Sequence, residues 1–210
     1  MNDLIIITAY TSNISELSNL SYDSITKYCS QHSIKSLRIL LENIERPASW
    51  YKIPSILSNL EHHEYVMWID SDTTIINYDF DIQSILDDES EIYVCNDING
   101  INCGVMIWKN TPNTRDILNK IWSMDEFINH NWWEQAAFRK LYDDNYNDIQ
   151  HITKIVEQNK INSYDYALYG MTYESGQVNE QSMLIHLPGL DLQTRIRLIT
   201  KYKEQYDISN

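Results

Sequence analysis

One short stretch, EYVMWIDSDTTII at residues 64–76, constrains the fold of this chain more than any other. Residues 65–69 are apolar and rich in β-formers, which predicts one buried strand and is too short for a helix. The run ends in Asp70, Ser71 and Asp72, and the carboxyl end of a buried strand is where an open α/β sheet binds ligands. Two carboxylates so close together repel unless a proton or a cation lies between them. The pattern favours a hard divalent metal ion that carries the phosphates of a substrate, and a solvated acidic turn is the plainer interpretation.

The charge of the chain excludes two classes of partner. The 210 residues carry a formal net charge of −14 and no run rich in Lys or Arg. A non-specific nucleic-acid binder or a protein that binds anionic membranes needs the opposite sign, so we expect neither nucleic acid nor membrane insertion. An acidic protein that binds an anionic diphosphate needs a metal or a few well-placed cations, which agrees with the acidic pair. The length fits one domain over residues 1–210.

The apolar runs and the cysteines predict a soluble, cytoplasmic protein. The first residues, MNDLIIITAY, contain an acidic residue and only a short apolar core, unlike a signal peptide. No apolar run approaches the length of a membrane span. Cys29, Cys95 and Cys103 form no CxxC pair and leave one cysteine over, which is typical of reduced, buried thiols.

Short β-rich runs alternate with amphipathic runs, which predicts an α/β fold. Strands are predicted at residues 4–8, 36–41, 65–69, 92–95, 104–108, 152–156 and 182–186. Helices are predicted at residues 15–30, 50–60, 111–124, 131–142 and 190–206, with Ser49 as the N-cap of the second. Residues 96–102 are predicted to form a loop that comes close to a ligand, and residues 159–181 to be irregular.

The loop after the first strand is a candidate nucleotide contact. It follows Thr8 and contains Ala9 and Tyr10. In a nucleotide-binding α/β fold this loop touches the base, so Tyr10 either stacks on a base or packs against its own fold.

The acidic strand end resembles the motifs of two enzyme families. A hydrophobic strand followed by Asp-X-Asp is the metal site of GT-A glycosyltransferases, where it holds a nucleotide-sugar diphosphate. Asp70, Asp72 and Thr74 also resemble the first motif of haloacid-dehalogenase-type phosphatases, in which Asp70 would be the nucleophile. That motif normally lies on the first strand of a chain, whereas another strand precedes it in this sequence, and no Gly-Asp-x-x-x-Asp follows. The phosphatase and a non-catalytic sugar-nucleotide-binding module are therefore the alternatives to a transferase.

Five motifs in order make the resemblance to glycosyltransferases more specific. They are Trp50-Tyr-Lys52-Ile-Pro54, Trp68-Ile-Asp70-Ser-Asp72, Asn102-Cys-Gly104 with Lys109-Asn110, Glu134-Gln135 and His186-Leu-Pro-Gly189. Together they resemble the galactosyl/xylosyltransferase family of yeast α-mannan and plant xyloglucan synthesis over residues 46–189. Several features are also similar to retaining transferases of the glycogenin type. The resemblance implies a single GT-A (Rossmann-like) domain with a central, mostly parallel sheet flanked by helices.

The resemblance also implies a function and a set of site residues. The enzyme would move a sugar from a UDP-sugar to a saccharide or glycan acceptor, with Mn²⁺ or Mg²⁺ and with retention of configuration. The metal ligands would be Asp72 and His186, with Asp70 on the ribose, the metal or both. The nucleotide and its sugar would meet Thr8, Ala9, Tyr10, Lys52, Ser71, Asn102, Gly104 and Gly189. The catalytic pair facing the reacting carbon would be Glu134 and Gln135.

Two further expectations concern less typical parts of the chain. Asp191 occupies the place where the family carries a cation, so Arg195 or Arg197 is expected to meet the phosphate. The residues 159–181 contain Tyr164, Tyr166, Tyr169 and Tyr173, and aromatic rings stack on sugar faces. We therefore expect an acceptor surface in this segment.

Overall fold

The fold is described from a computed structural model that covers the backbone of residues 3–207 and the side chains of residues 3–206. The ends of the predicted domain, residues 1–2 and 208–210, lie outside this range. The strands are β1 (Leu4–Tyr10), β2 (Lys35–Leu40), β3 (Tyr65–Ile69), β4 (Thr73–Ile75), β5 (Ile92–Asp97), β6 (Gly100–Lys109), β7 (Thr153–Val156) and β8 (Leu184–His186). The helices are α1 (Ser15–His32), α2 (Lys52–Leu60), α3 (Pro112–Trp122), α4 (Trp133–Asp143), α5 (Ile149–Ile152), α6 (Gln158–Ile161) and α7 (Leu192–Asp207).

Six strands form a central sheet in the order β2-β1-β3-β6-β5-β7. β1 is parallel to β2 and β3, and β7 is parallel to β5, whereas β6 is antiparallel to both of its neighbours. A separate antiparallel pair joins β4 to β8. The predicted fold class is confirmed: a mainly parallel sheet with helices packed on it.

The core lies on both faces of β3, whose residues are all buried. Val66 and Trp68 pack with α2, α3 and α4, and Tyr65, Met67 and Ile69 pack with α1 and the segment after β4. A strand buried on both faces requires a continuous apolar run, which is what the sequence provides. Because β3 lies between β1 and β6, the residues that follow Ile69 emerge at the centre of the sheet edge.

Several predicted boundaries differ from the structure. β6 begins at Gly100, so most of the predicted loop 96–102 is a hairpin that turns at Ile98 and Asn99, helped by φ of +103° at Gly100. The polar residues of this hairpin hid its strand pattern. Ser49 is not an N-cap, because α2 begins at Lys52 after a 3-10 turn at Ala48–Tyr51.

Further short elements were not predicted, among them α6 at Gln158–Ile161, in a segment expected to be irregular. β4 is a short strand that pairs with β8 directly after the acidic motif. A short helix, α5, takes up the start of the predicted strand 152–156. The prediction of buried, unpaired thiols is confirmed for Cys29, Cys95 and Cys103. None of the helices within residues 3–207 is long and apolar enough to cross a membrane.

The segment between β4 and β5 is fastened to α1 by Tyr28. The buried Tyr28 hydroxyl donates to the Phe80 carbonyl at 2.7 Å and accepts from the Ile82 N–H at 3.3 Å. We expect Tyr28→Phe to lower the free energy of unfolding by about 1–3 kcal/mol, because two buried backbone groups lose their partner. Urea unfolding followed by circular dichroism measures this change.

Tyr22→Phe is the matched control. Its hydroxyl contacts Ser36 Oγ at 3.1 Å in a half-buried position, where water can replace it. Equal changes in both variants would contradict the assigned role of Tyr28.

Candidate active site

Three side chains that could hold a metal ion meet where β3 ends. β4 and β8 pair with Thr73 opposite His186, and the Leu187 N–H donates to the Asp72 carbonyl at 3.0 Å. This pairing brings His186 beside the acidic motif although the two are far apart in sequence. One ligand atom from each of Asp70, Asp72 and His186 lies within 4.8 Å of the others.

The chemistry of these groups fits a divalent cation. Carboxylate oxygens suit Mg²⁺ and Mn²⁺, and imidazole nitrogen is a common ligand of transition metals. Asp72 Oδ1 lies 3.1 Å from His186 Nε2, and Asp72 Oδ2 lies 3.1 Å from Arg195 Nη1. Three donor atoms from one side leave the remaining coordination positions for water and phosphate oxygens.

The two carboxylates have different electrostatic surroundings. Burial opposes ionisation of Asp72, but its interactions with His186 and Arg195 outweigh burial and lower its pKa to about 2. Burial raises the pKa of Asp70, and although Lys52 opposes this, the neighbouring Asp72 adds to it. Two adjacent acidic groups therefore share one site, and a cation between them would favour ionisation of both.

Lys52 lies beneath this site in the first turn of α2. Its ammonium group is 2.9 Å from the Cys103 carbonyl, 3.2 Å from Asp70 Oδ1 and 2.8 Å from Glu134 Oε1. Only 2% of the residue is exposed. Burial lowers the pKa of Lys52, but the two carboxylates outweigh it and the net shift is upward. An ammonium has three hydrogens, and three acceptors within the protein surround this one.

The pair Glu134 and Gln135 opens α4. Glu134 is buried, with Oε1 on Lys52 and with Oε2 unpartnered among the described residues. Gln135 Oε1 accepts the Cys103 N–H at 2.9 Å, so its NH₂ end is the part left for another group. The preceding Trp133 has φ of +42°, which is unusual for a bulky residue and indicates local strain.

Two adjoining cavities meet at the acidic motif. The larger encloses about 740 Å³, and the smaller about 220 Å³. Residues common to both linings are Ser49, Asp70, Asp72 and Arg195. The larger cavity also contacts Lys52, Asn102, Gly104, Glu134, Gln135, His186 and Gly189. The smaller also contacts Ala9, Tyr10 and Ser71.

The structure therefore brings most of the predicted site residues into one region. Thr8 lies behind the smaller cavity, with its hydroxyl 3.3 Å from that of Ser71. Ser71 in turn donates to the Ala9 carbonyl at 2.5 Å. Arg195 lines both cavities, whereas Arg197 is exposed elsewhere on α7.

Three of the four tyrosines predicted for the acceptor surface, Tyr164, Tyr166 and Tyr169, line the larger cavity. Tyr164 and Tyr166 are almost fully buried and their rings lie 5.3 Å apart, while Tyr173 packs on Tyr166. The exposed rings at the cavity mouth belong instead to Trp132 and Trp133.

Two buried polar residues near His186 were missed by the sequence analysis. Asn162 Oδ1 lies 2.8 Å from His186 Nδ1, and Asp97 Oδ2 accepts from Asn102 at 3.0 Å. Asp97 ends β5, and the sequence carried that signal in the Asp-x-Asn-Gly turn. Asn162 lies in an irregular segment with no periodic pattern to single it out.

Several solved glycosyltransferases share this fold. A glycosyltransferase involved in glycosylation of the major capsid of PBCV-1 superposes with a TM-score of 0.75 at 15% identity, covering 94% of this chain and 98% of that one. The glycosyltransferase GlyE of Streptococcus pneumoniae TIGR4 gives 0.64 at 12% identity, covering 96% of this chain and 60% of that one. The galactosyltransferase LgtC, solved with donor and acceptor sugar analogues, gives 0.61 at 10% identity over 96% of both chains.

The sequence assigns the family within this class. The model of the galactosyl transferase GMA12/MNN10 family matches residues 4–90 and 85–191, and the chain belongs to that family. It is therefore a glycosyltransferase, and the predicted resemblance is confirmed. No curated protein matches the sequence. The phosphatase and the non-catalytic module find no support in these comparisons.

Lys52 provides a test of the electrostatics of the site. We expect Lys52→Met to lower the free energy of unfolding by about 3–5 kcal/mol at neutral pH, because two buried carboxylates lose their counterion. The loss should shrink as the pH falls, since orphaned carboxylates of the variant take up protons and become neutral. Urea unfolding at neutral and acidic pH measures both effects.

Lys140→Met is the control for loss of a lysine. Lys140 pairs with Asp144 at 2.6 Å on the exposed side of α4, where solvent screens the interaction. A Lys52→Met variant as stable as Lys140→Met would contradict the role assigned to the buried ammonium.

Proposed function

We propose that the chain transfers a sugar from a UDP-sugar to a saccharide acceptor, with Mn²⁺ or Mg²⁺ and with retention of anomeric configuration. The observation that carries the proposal is the meeting of Asp70, Asp72 and His186 at the boundary between the two cavities. A nucleotide sugar is divided in the same way as this site. Its nucleoside and its sugar would each occupy one cavity, and the diphosphate between them, which needs a cation, would lie at the boundary.

The smaller cavity suits the nucleoside. Its wall contains Tyr10, which can stack on a base, and the Arg38 guanidinium covers the Tyr10 ring at 4.9 Å. Asp70 and Ser71 of the acidic motif also line this cavity, and we place the ribose beside them. This arrangement supports the predicted contacts of Ala9, Tyr10 and Ser71 with the nucleotide.

The diphosphate would then lie over the acidic motif. When bound there, the divalent cation would neutralise charge that develops on the departing diphosphate. Arg195 is the cation suited to a phosphate contact. Its Nε donates to the Leu190 carbonyl and its Nη1 to Asp72, and Nη2 has no partner among the described residues. Lys52 acts differently: its hydrogens are directed to acceptors of the protein, so it holds Asp70 and Glu134 in place.

The larger cavity suits the transferred sugar. Glu134 Oε2 has no partner among the described residues, and a buried carboxylate oxygen gains free energy from a hydroxyl donor such as a sugar OH. Gln135 presents its NH₂ end, which donates to hydroxyl or ring oxygen. Glu134 therefore supplies the negative charge beside the developing oxocarbenium, and Gln135 orients the sugar.

Retention is supported by the state of the carboxylates. Those lining the larger cavity are Asp70, Asp72, Asp97 and Glu134, and each already pairs with a donor of the protein. An inverting enzyme needs a carboxylate base beside the acceptor hydroxyl. The one buried carboxylate oxygen without a partner in the part of the chain that the structure describes, Glu134 Oε2, is assigned above to the donor sugar. The departing phosphate of the donor is then the group left to accept that proton.

The acceptor would approach at the mouth of the larger cavity. Trp132 and Trp133 are 44% and 43% exposed there, next to Ile98 and Met171. Arg139 lies 4.7 Å from the Trp132 ring and does not line the cavity, so one face of the indole is covered and the ring is held in place. Indole rings bind the apolar face of a pyranose, which supports a saccharide acceptor at this position.

The metal dependence can be tested by UDP binding. We expect calorimetry to detect UDP binding that requires Mn²⁺ and is lost in Asp72→Asn. The substitution replaces a carboxylate next to the cation by a neutral amide, which is a weaker metal ligand. His186→Ala should weaken binding at least tenfold, as expected for loss of a metal contact. Circular dichroism of each variant verifies the fold, and undiminished UDP binding without metal would refute the assignment.

The stereochemical outcome is a separate test. With an α-configured UDP-sugar we expect an α-glycoside, identified by proton NMR before mutarotation. Glu134→Gln should slow turnover by roughly 10²-fold, because one contact made to the transition state is lost, with UDP affinity unchanged. Gln135→Ala should also lose turnover and keep UDP affinity, and a β-glycoside as product would overturn retention.

A further inference from the structure

We propose that Asn162 and Asn102 are positioning residues that fix the ring orientation and the proton of His186, so that its Nε2 presents a lone pair to the metal site. The inference rests on the proposed metal-dependent function. It is carried by a directed series of hydrogen bonds that begins at a backbone N–H and ends at the imidazole.

The first step fixes the amide of Asn102. The Gly104 N–H can only donate, and it lies 2.8 Å from Asn102 Oδ1, which identifies the oxygen of that amide. The other end, Nδ2, donates to Asp97 Oδ2 at 3.0 Å and to the Tyr164 hydroxyl at 2.9 Å. An anionic acceptor at one end and a backbone donor at the other give the amide a single orientation.

The second step fixes the amide of Asn162. Asn102 Oδ1 also accepts from Asn162 Nδ2 at 2.8 Å, and the same nitrogen lies 3.3 Å from Cys95 Sγ. All four hydrogen-bond positions of Asn102 are thereby used within the protein. Its polar atoms are therefore assigned to this network rather than to the donor sugar.

The third step fixes the imidazole. Because Nδ2 of Asn162 faces Asn102, its Oδ1 faces His186 Nδ1, at 2.8 Å. An amide oxygen only accepts, so Nδ1 carries the hydrogen. A neutral imidazole then has its lone pair on Nε2, 3.1 Å from Asp72 Oδ1, and two acceptor atoms at this distance need a cation between them.

Packing holds the ring in the same position. A Cβ atom at Gly104 would lie 2.4 Å from Cε1 and 2.9 Å from Nδ1 of His186, so the ring lies directly against the glycine backbone. The Tyr164 ring meets it edge-on, with centroids 5.4 Å apart. Gly104 is therefore required for the space that the imidazole occupies.

The burial of these amides distinguishes the network from hydrogen bonds that form by chance between exposed side chains. Asn162 is 0% exposed and Asn102 is 8% exposed. A buried amide is costly unless its hydrogen bonds are made, and an apolar side chain would fill such a space without that cost. A purely structural role for Asn162, joining its segment to β6, is the competing explanation, and it predicts no effect on the proton of His186.

The test compares Asn162→Ala with Ser163→Ala. Ser163 is the next residue, is fully buried and donates its hydroxyl to the Leu184 carbonyl, so its removal also deletes a buried hydrogen bond. In the metal-free protein, ¹⁵N NMR of labelled histidine reports which ring nitrogen carries a hydrogen. The signal of His186 is identified by its absence in His186→Ala.

We expect wild type and Ser163→Ala to show His186 protonated at Nδ1, and Asn162→Ala to show a mixture of the two forms. Mn²⁺ alone, titrated by electron paramagnetic resonance, should bind Asn162→Ala 10–100-fold more weakly, the usual loss for a residue that orients a metal ligand. Asn162→Asp retains an acceptor for Nδ1 and should keep the wild-type form, and Gly104→Ala should weaken Mn²⁺ binding by displacing the ring.

Two results would overturn the inference. One is a wild-type spectrum with the hydrogen on Nε2, which decides the matter even if Asn162→Ala does not fold. The other is equal Mn²⁺ affinity in Asn162→Ala and Ser163→Ala. Absence of Mn²⁺ binding in the wild type would instead contradict the proposed metal dependence, and the NMR spectrum would still test the network.

Discussion

The buried ammonium of Lys52 is the contact on which the rest of the site depends. It joins α2 to the end of β3 through Asp70, to α4 through Glu134 and to β6 through the Cys103 carbonyl. Desolvating a charge is so costly that the group is stable only when its partners are correctly placed, and three well-placed acceptors meet that condition. The ammonium therefore fixes the relative positions of the elements that surround the larger cavity. A first-turn lysine opposes the helix dipole, and its carboxylate partners outweigh this local disadvantage.

The sequence predicted those parts of the molecule that local patterns encode. The run at β3 has the composition of a strand buried on both faces, and its acidic end follows at once, so both were predictable without tertiary information. His186 was predictable because an apolar run ends there before Pro-Gly. β6 was truncated in the prediction because Asn102, near its start, bonds to Asp97 of β5 and to Asn162, contacts that no periodicity reveals. Ser49 failed as a cap because the chain turns once more before α2 begins.

The partners of the site residues were not predictable for a different reason. Lys52 pairs with residues on β3 and α4, and Asn162 with residues on β5, β6 and β8, all at long sequence separation. A sequence pattern can indicate that a lysine meets an anion, but the identity of the anion follows from the packing of the sheet and helices. The sequence therefore predicted which residues belong to the site, whereas the partners of each residue became known only from the structure.

Side chains of the protein already balance the negative charge of the acidic motif. This determines how binding of a metal ion would affect the stability of the fold. Arg195 contacts Asp72, and Lys52 with the Trp68 indole N–H contacts Asp70. Each carboxylate thus has a favourable partner before any cation arrives, so the fold does not require the metal to remove an unpaired buried charge. A ligand that binds only the folded state adds stability according to its concentration relative to its dissociation constant. Metal binding at this site should therefore increase stability gradually with concentration, whereas in a zinc finger the metal decides whether the chain folds at all.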